Sequence, residues 1–211
     1  NNATLPILYY IYHCGYWDKF SSRSKYKEDR ECIKKWLFTM LLRKVFGGQS
    51  DSVLTQSRKA FSNNIELNKI DDSITGFPAL KLNKEIKKLT ELTDDIVKDL
   101  LLTQKDSQYS FPLLSLLYPN LDYRNNNFHQ DHLHPAASYE SLSEADKENL
   151  GWETYNSVLN LQMLDANENM SKNDMSLEDW IRKETATQPR KHFLADHLIP
   201  DTSFALSDFA L

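Results

Sequence analysis

Two short polar stretches of the 211-residue sequence contain the side chains best suited to catalysis. The first, 128–135, places Asp131 next to His132 shortly before a proline. In the second, 160–172, a short apolar run gives way to Asp and Asn side chains and ends on a lysine. A carboxylate, an imidazole, amide oxygens and a lysine could together bind a hard cation, activate water and hold a phosphate.

The first stretch is a weak signal when it is taken alone. In an extended chain, alternation directs Asp131 and His132 to opposite faces, so both reach one centre only if a turn or bulge brings them together. Surface histidines are common, and strongly perturbed sites are a minority among them. A solvated pair on the protein surface is therefore the alternative to a catalytic pair.

The spacing of the polar residues strengthens the case for a site. The motifs are D-H-x-x-P from Asp131, N-L-x-x-L from Asn160 and N-x-x-K from Asn169, and the run 158–164 alternates enough for a short strand. With these motifs the chain resembles the HNH (His-Me finger) nucleases. The resemblance implies a hairpin that carries the Asp-His pair, a second strand with a bracing Asn, and a helix whose start carries the last Asn.

The same resemblance assigns a role to each motif residue. His132 becomes the general base that takes a proton from the attacking water, because an imidazole titrates near neutral pH. Asp131 and Asn169 become ligands of one divalent cation, Mg²⁺ or also Mn²⁺, which neutralises the scissile phosphate. Asn160 braces the hairpin through hydrogen bonds. Lys172 meets a phosphate as a point charge.

The chain departs from the family pattern in two places. Many HNH proteins hold a structural zinc with a cysteine pair just before the last Asn, whereas this chain has Asp165 and Glu168 there, so we expect no structural zinc. The insertion 136–157 between the two halves of the hairpin is long. The two cysteines of the chain, Cys14 and Cys32, lack metal-pair spacing and favour a reduced cytoplasm.

Four further segments are similar to the C-terminal nuclease region of GmrSD-type, modification-dependent defence enzymes, namely 5–7, 34–37, 178–181 and 197–200. This resemblance implies a cytoplasmic DNA endonuclease that acts in bacterial defence against phage. Such enzymes carry an N-terminal, ParB-like domain that hydrolyses nucleotides. Because the chain begins with Asn-Asn-Ala, we expect it to be a fragment of a longer protein that contains this domain.

Other polar residues have simpler explanations. His134 could touch phosphate or metal, but a solvated histidine is the more common case. His129 is expected to be structural, and His192 and His197 are expected to serve helix packing. Asn167 lies off the motif, and a role in a turn is favoured for it.

The elements that must position these residues are mostly helical. Residues 1–120 show helical spacing of apolar residues, which predicts a helical lobe. We expect 121–187 to form a small ββα-metal (HNH) lobe and 188–211 to form a helical tail. The prediction is thus a single α+β, mostly α-helical nuclease domain over 1–211. Within it, the acid-rich segment Ser141–Tyr155 is expected to be a loop.

Charge is distributed unevenly along the chain. A net charge of −5 gives no global signature of nucleic-acid binding. Residues 21–47 nevertheless carry a net charge of +5 and residues 134–180 a net charge of −8, which suits a site that gathers a cation beside a region that meets phosphates. Arg30, Lys34 and Lys35 could contact the DNA backbone, and solvated charged faces are the alternative. No apolar run reaches the ~18 residues that span a bilayer.

Two functions from different classes follow. The first is a metal-dependent endonuclease domain that hydrolyses DNA phosphodiester bonds. The second is a non-catalytic module that binds DNA or a partner protein and keeps a decayed HNH core. The simultaneous presence of Asp131, His132 and Asn169 favours the first, because a decayed site is expected to lose one of them.

Overall fold

A computed structural model of the chain describes residues 2–48, 50–62, 70–89 and 91–209. The chain is 57% helical with one small antiparallel sheet, which confirms the expected mostly α-helical α+β class. It divides into two compact units between Leu92 and Thr93. This boundary lies well before residue 120, so the segment 93–120 belongs to the unit with the HNH-like motifs. Ala210 and Leu211, in the expected helical tail, lie outside the described residues.

The N-terminal unit is helical over its described residues. Its α-helices are α1 (Leu5–His13), α2 (Lys27–Leu42), α3 (Ser50–Phe61) and α4 (Ala79–Glu85). Pro6 lies in the first turn of α1, where its fixed φ suits a helix start. On α2 the residues Ile33, Trp36 and Met40 recur at helical spacing and are buried. α2 is therefore amphipathic, with one apolar face in the core of this unit.

Asp29 joins α2 to two neighbouring segments of this unit. Its Oδ2 accepts a hydrogen bond of 2.5 Å from the Tyr10 hydroxyl on α1. Its Oδ1 accepts one of 2.6 Å from the backbone N–H of Phe77, just before α4. Burial of the ring, together with this carboxylate, raises the pKa of Tyr10. The hydroxyl therefore stays protonated and keeps donating over the physiological pH range.

The C-terminal unit surrounds a two-stranded hairpin. Its elements are α5 (Asp94–Leu101), α6 (Ser110–Leu117), β1 (Phe128–His132), α7 (Glu144–Tyr155), β2 (Leu161–Asp165), α8 (Ala166–Lys172), α9 (Leu177–Glu184), α10 (Arg190–Asp196) and α11 (Leu206–Phe209). β1 and β2 are antiparallel, with Asp131 opposite Gln162 and His132 opposite Leu161. No helix within the described ranges has both the length and the apolar content to cross a bilayer.

The segment Ser141–Tyr155 is largely helical, so the predicted loop is wrong. α7 starts where the Ser143 hydroxyl accepts a hydrogen bond of 3.1 Å from the backbone N–H of Asp146. Acidic residues in the first turn of α7 complement the positive end of the helix dipole. Gly151, at φ 68°, kinks α7, and Tyr155 at its end is completely buried. The high acid content marks an exposed helix rather than a loop.

α8 follows β2 without an intervening loop because its first turn is capped. Asp165 Oδ1 accepts hydrogen bonds of 2.7 Å from the backbone N–H of Asn167 and 3.0 Å from that of Glu168. The Glu168 carboxylate accepts a hydrogen bond of 3.3 Å from the backbone N–H of Asp165, which completes a capping box. The two residues at the positions of the family's cysteine pair therefore start α8 in this chain.

The hairpin contributes to a different hydrophobic cluster on each of its faces. Leu161 and Met163 of β2 pack with Leu114 of α6. Leu164, one residue further along the strand, instead packs with Trp180 in the cluster formed by α9 and α10. Both faces of β2 are thus buried, which fixes the register and the direction in which each polar side chain of β1 points.

Candidate active site

Asp131 lies on the face of the hairpin that α8 covers. Its Oδ2 accepts a hydrogen bond of 3.2 Å from the Nε2 of Gln162, its cross-strand neighbour. The same oxygen is 2.8 Å from the ammonium nitrogen of Lys172. Among the described residues, Oδ1 of Asp131 has no hydrogen-bond donor, and the side chain is 18% exposed. One carboxylate oxygen is therefore held in place and the other is left for a ligand.

Lys172 is the residue that joins α8 to the Asp-His pair. Its side chain is fully buried, and its ammonium donates to the backbone carbonyl of His132 at 2.6 Å as well as pairing with Asp131. The same ammonium lies 5.7 Å from the centre of the Trp180 ring. The predicted phosphate contact of Lys172 therefore needs correction, because a buried ammonium with these partners does not face solvent. Its role in the described structure is to hold β1 and α8 together.

Asn160 makes the hydrogen bonds that a bracing residue needs. Its Oδ1 accepts from the His134 backbone N–H at 2.9 Å. Its Nδ2 donates to the carbonyls of His134 at 3.0 Å and Tyr155 at 3.1 Å. Asn160 is completely buried, so these bonds satisfy polar groups that water does not reach. They tie the chain after β1 to the end of α7.

The His132 ring leaves β1 on the face opposite to Asp131, as alternation predicts. Its Nε2 lies 3.0 Å from Oδ1 of Asn156 at the end of α7, and the ring stacks near Tyr155. Burial and the charge of Lys105 lower the pKa of His132, whereas the Asn156 hydrogen bond and the Asp131 carboxylate act in the opposite direction. The ring is therefore neutral at physiological pH, and it lies close enough to Asp131 to sense its charge.

Asn169 lies on the same face of α8 as Lys172, because side chains three positions apart on a helix are neighbours. α8 packs against β1, and the Lys172 side chain contacts Asp131 directly. The side chain of Asn169 is half-buried and makes no hydrogen bond with the described residues. The helix that carries Asn169 thus packs against the strand that carries Asp131 and His132.

The donor chemistry suits a hard cation that keeps most of its water. Oδ1 of Asp131 and the amide oxygen of Asn169 are oxygen ligands of the kind Mg²⁺ prefers. Among the described residues, no three His, Cys, Asp or Glu side chains are placed to hold a metal. A cation held by these two oxygens would fill its remaining positions with water and substrate oxygens.

Two further histidines that the sequence singled out are buried. His134, predicted to be solvated, is 6% exposed and packs against Phe209. His197 packs against the rings of Trp180 and Phe193, as expected for helix packing, and its Nδ1 has no hydrogen-bond partner among the described residues. His129 on β1 and His192 on α10 are exposed. The prediction that His192 serves helix packing is therefore wrong.

The sequence analysis missed the residues that hold the two central side chains. Gln162 and Asn156 contact Asp131 and His132, respectively, through side-chain amides. Gln162 could have been found from the sequence, because antiparallel pairing of the two predicted strands places it opposite β1. Asn156 had no such signal, because it follows directly after the segment expected to be a loop and belongs to none of the motifs.

No protein-family model matches the chain. No curated protein matches it either.

The contributions of Asp131 and Lys172 to the free energy of unfolding are expected to be strongly coupled. Asp131→Ala leaves the buried ammonium without its counter-charge and should destabilise the C-terminal unit by about 3 kcal/mol. Lys172→Met removes the charge but keeps apolar volume against Trp180. Urea unfolding of both variants and of the double variant measures the coupling. The double variant should cost much less than the sum of the two, and strict additivity would contradict this interpretation.

The stability of the C-terminal unit is expected to fall as the pH decreases from 6.5 to about 4. Burial lowers the pKa of His134 and of His197 to about 4. In this range the unfolded chain binds protons that the folded chain excludes, so each histidine lowers the free energy of unfolding by about 1.4 kcal/mol per pH unit. Urea unfolding over this pH range measures the slope. His197→Phe should reduce the slope, and the matched change of the exposed His192→Phe should not.

Proposed function

We propose that the C-terminal unit is a metal-dependent endonuclease domain that hydrolyses phosphodiester bonds in DNA. The observation that carries the proposal is the double contact of Lys172, whose ammonium binds the side chain of Asp131 and the backbone carbonyl of His132. It attaches α8, which carries Asn169, directly to the Asp-His pair. Residues from two distant stretches of the sequence thereby meet at one end of β1.

His132 has the properties of a general base in this site. A neutral imidazole accepts a proton from water, and burial keeps the pKa of His132 below its usual value. The ring is held at Nε2 by Asn156, and Asn160 fixes the backbone that follows the strand. A positioned base of this kind contributes about 10²- to 10⁴-fold to a proton-transfer step.

Asp131 and Asn169 are the residues that would hold a divalent cation. When bound, Mg²⁺ or Mn²⁺ supplies charge neutralisation to the phosphate and to the leaving oxygen. Lys172 and Gln162 keep the Asp131 carboxylate oriented by occupying Oδ2, so that Oδ1 stays available. The protein would thus contribute one oriented carboxylate oxygen from β1 and one amide oxygen from α8, two elements joined by the Lys172 contacts.

The two units differ in the sign of their net charge, which supports a separate function for each. Residues 1–92 contain 16 Lys or Arg against 10 Asp or Glu, and residues 93–211 contain 9 against 20. An acidic unit attracts divalent cations and repels a polyanion, so DNA affinity must come from elsewhere on the chain. We assign it to the basic N-terminal unit. A role in restricting modified phage DNA follows from the family resemblance alone and is part of the same proposal.

A second candidate function is favoured by one observation. The ammonium of Lys172 neutralises Asp131 at 2.8 Å, which lowers the attraction of that carboxylate for a cation. A non-catalytic module that binds DNA through its basic unit and keeps the HNH core as a scaffold would have this feature. The two candidates differ in whether the chain cuts DNA, and one experiment separates them.

Plasmid relaxation in the presence of Mg²⁺ tests the proposed function. The unmodified chain should nick supercoiled DNA, and His132→Ala should lower the rate about 10²-fold or more, because it removes the base. His129→Ala is the matched control, since His129 lies on the same strand and is exposed. Equal rates for the unmodified chain and His132→Ala, or no cleavage by either, would reject the endonuclease and favour the non-catalytic module.

A further inference from the structure

We propose that Gln104 and Asn156 are positioning residues that hold neutral His132 with its proton on Nε2 and leave Nδ1 free to act as the base. The assignment of Nδ1 as the base rests on the proposed function. The position of the proton does not, because it follows from a chain of hydrogen bonds within the C-terminal unit. This chain begins at two backbone carbonyls and ends at the ring.

The first link fixes the orientation of the Gln104 amide. One end of this amide lies 2.9 Å from the carbonyl oxygen of Leu102 and 2.7 Å from that of Glu153. A carbonyl oxygen only accepts hydrogen bonds, so the end of the amide that faces both must be the NH₂ group. The opposite end, Oε1, is then an acceptor, and its direction is set by the backbone.

The second link determines the orientation of the Asn156 side-chain amide. Oε1 of Gln104 lies 3.3 Å from the side-chain amide of Asn156. Because the facing atom of Gln104 is an oxygen, the end of the Asn156 amide that meets it must be Nδ2. Oδ1 of Asn156 is therefore turned toward His132.

The third link determines the tautomer of His132. Oδ1 of Asn156 lies 3.0 Å from Nε2 of the ring, and an amide oxygen only accepts. Nε2 must therefore carry the hydrogen, and the neutral ring keeps its lone pair on Nδ1. Nδ1 makes no hydrogen bond with the described residues, and it keeps a small exposed surface although the residue as a whole is only 5% exposed. A water molecule can thus approach the basic nitrogen.

Backbone hydrogen bonds hold the two amides in place. The backbone N–H of Lys105 donates to the carbonyl of Asn156 at 2.9 Å, and that of Val158 donates to the carbonyl of Thr103 at 2.9 Å. Gln104 itself forms an isolated antiparallel bridge with Ser157. The segment after α5 and the end of α7 are thus joined by backbone hydrogen bonds on both sides of the amide pair, which keeps the side chains of Gln104 and Asn156 within reach of each other.

The position of the proton is measured directly by ¹⁵N NMR of His132 in the full chain, without metal or DNA and at a pH where the ring is neutral. The chemical shifts of the two ring nitrogens distinguish the tautomers. We expect a single form with protonated Nε2 in the unmodified chain and in Asn156→Asp, which retains the acceptor. Asn156→Leu and Gln104→Leu should populate the Nδ1–H form. Gln108→Leu is the matched control, because Gln108 lies four positions after Gln104, is exposed and makes no side-chain hydrogen bond with the described residues.

Plasmid nicking with Mg²⁺ by the same variants supplies the second readout. Asn156→Leu should lower kcat at least about tenfold with little change in KM, and Asn156→Asp should restore most of the loss.

Protonated Nδ1 in the unmodified chain, or an unchanged tautomer in both leucine variants, would overturn the inference. If Asn156→Leu does not fold, the unmodified chain and Gln104→Leu still decide it. Absence of nicking alone would reject the proposed function and leave the tautomer result standing.

Discussion

The C-terminal unit depends on where a single buried ammonium is placed. Lys172 has no exposed side-chain surface, so its charge must be compensated inside the protein. It obtains this compensation from Asp131 on β1 and from the carbonyl of His132. Because desolvation of an ion is costly, an alternative packing of α8 that separates the lysine from this pair is strongly disfavoured. The ion pair therefore specifies which helix meets which strand.

The arrangement gives each residue of the Asp-His pair a separate support. Asp131 is held by Lys172 and Gln162 on one face of β1, whereas His132 is held by Asn156 on the other. The backbone after the strand is held in turn by Asn160. Because adjacent side chains on a strand point to opposite faces, the strand separates Asp131 from His132. Each can then be oriented without disturbing the other.

The sequence predicted the parts of this unit that have a periodic or motif-like signal. The mostly helical class and the Asn160 and Asn169 motifs could be found because their spacing is local. Lys172 was predicted to contact a phosphate, but its burial excludes that role. Its burial depends on Trp180 and β1, which are distant in the sequence, so neighbouring residues could not reveal it. The helix α7 was missed because acidic content was given more weight than the Ser143 cap.

The supports of the site could not be predicted for a different reason. Gln104 and Asn156 are 52 positions apart in the chain, and their contact leaves no periodic signal in either segment. Amide side chains are also common in turns, where they bind the local backbone. Only the backbone pairing of the two segments shows that these amides meet. The proton position on His132 is consequently a property of the fold rather than of the motif.

We propose that Asp131 and Asn169 bind one divalent cation close to His132. Paramagnetic broadening of NMR signals by substoichiometric Mn²⁺ measures where such a cation binds. We expect the signals of Asp131, Asn169 and the His132 ring to broaden first. Asn169→Ala should weaken this effect, whereas Asn167→Ala, at an exposed position on the same helix, should not. Broadening centred on another acidic surface, or equal effects of the two Asn variants, would contradict it.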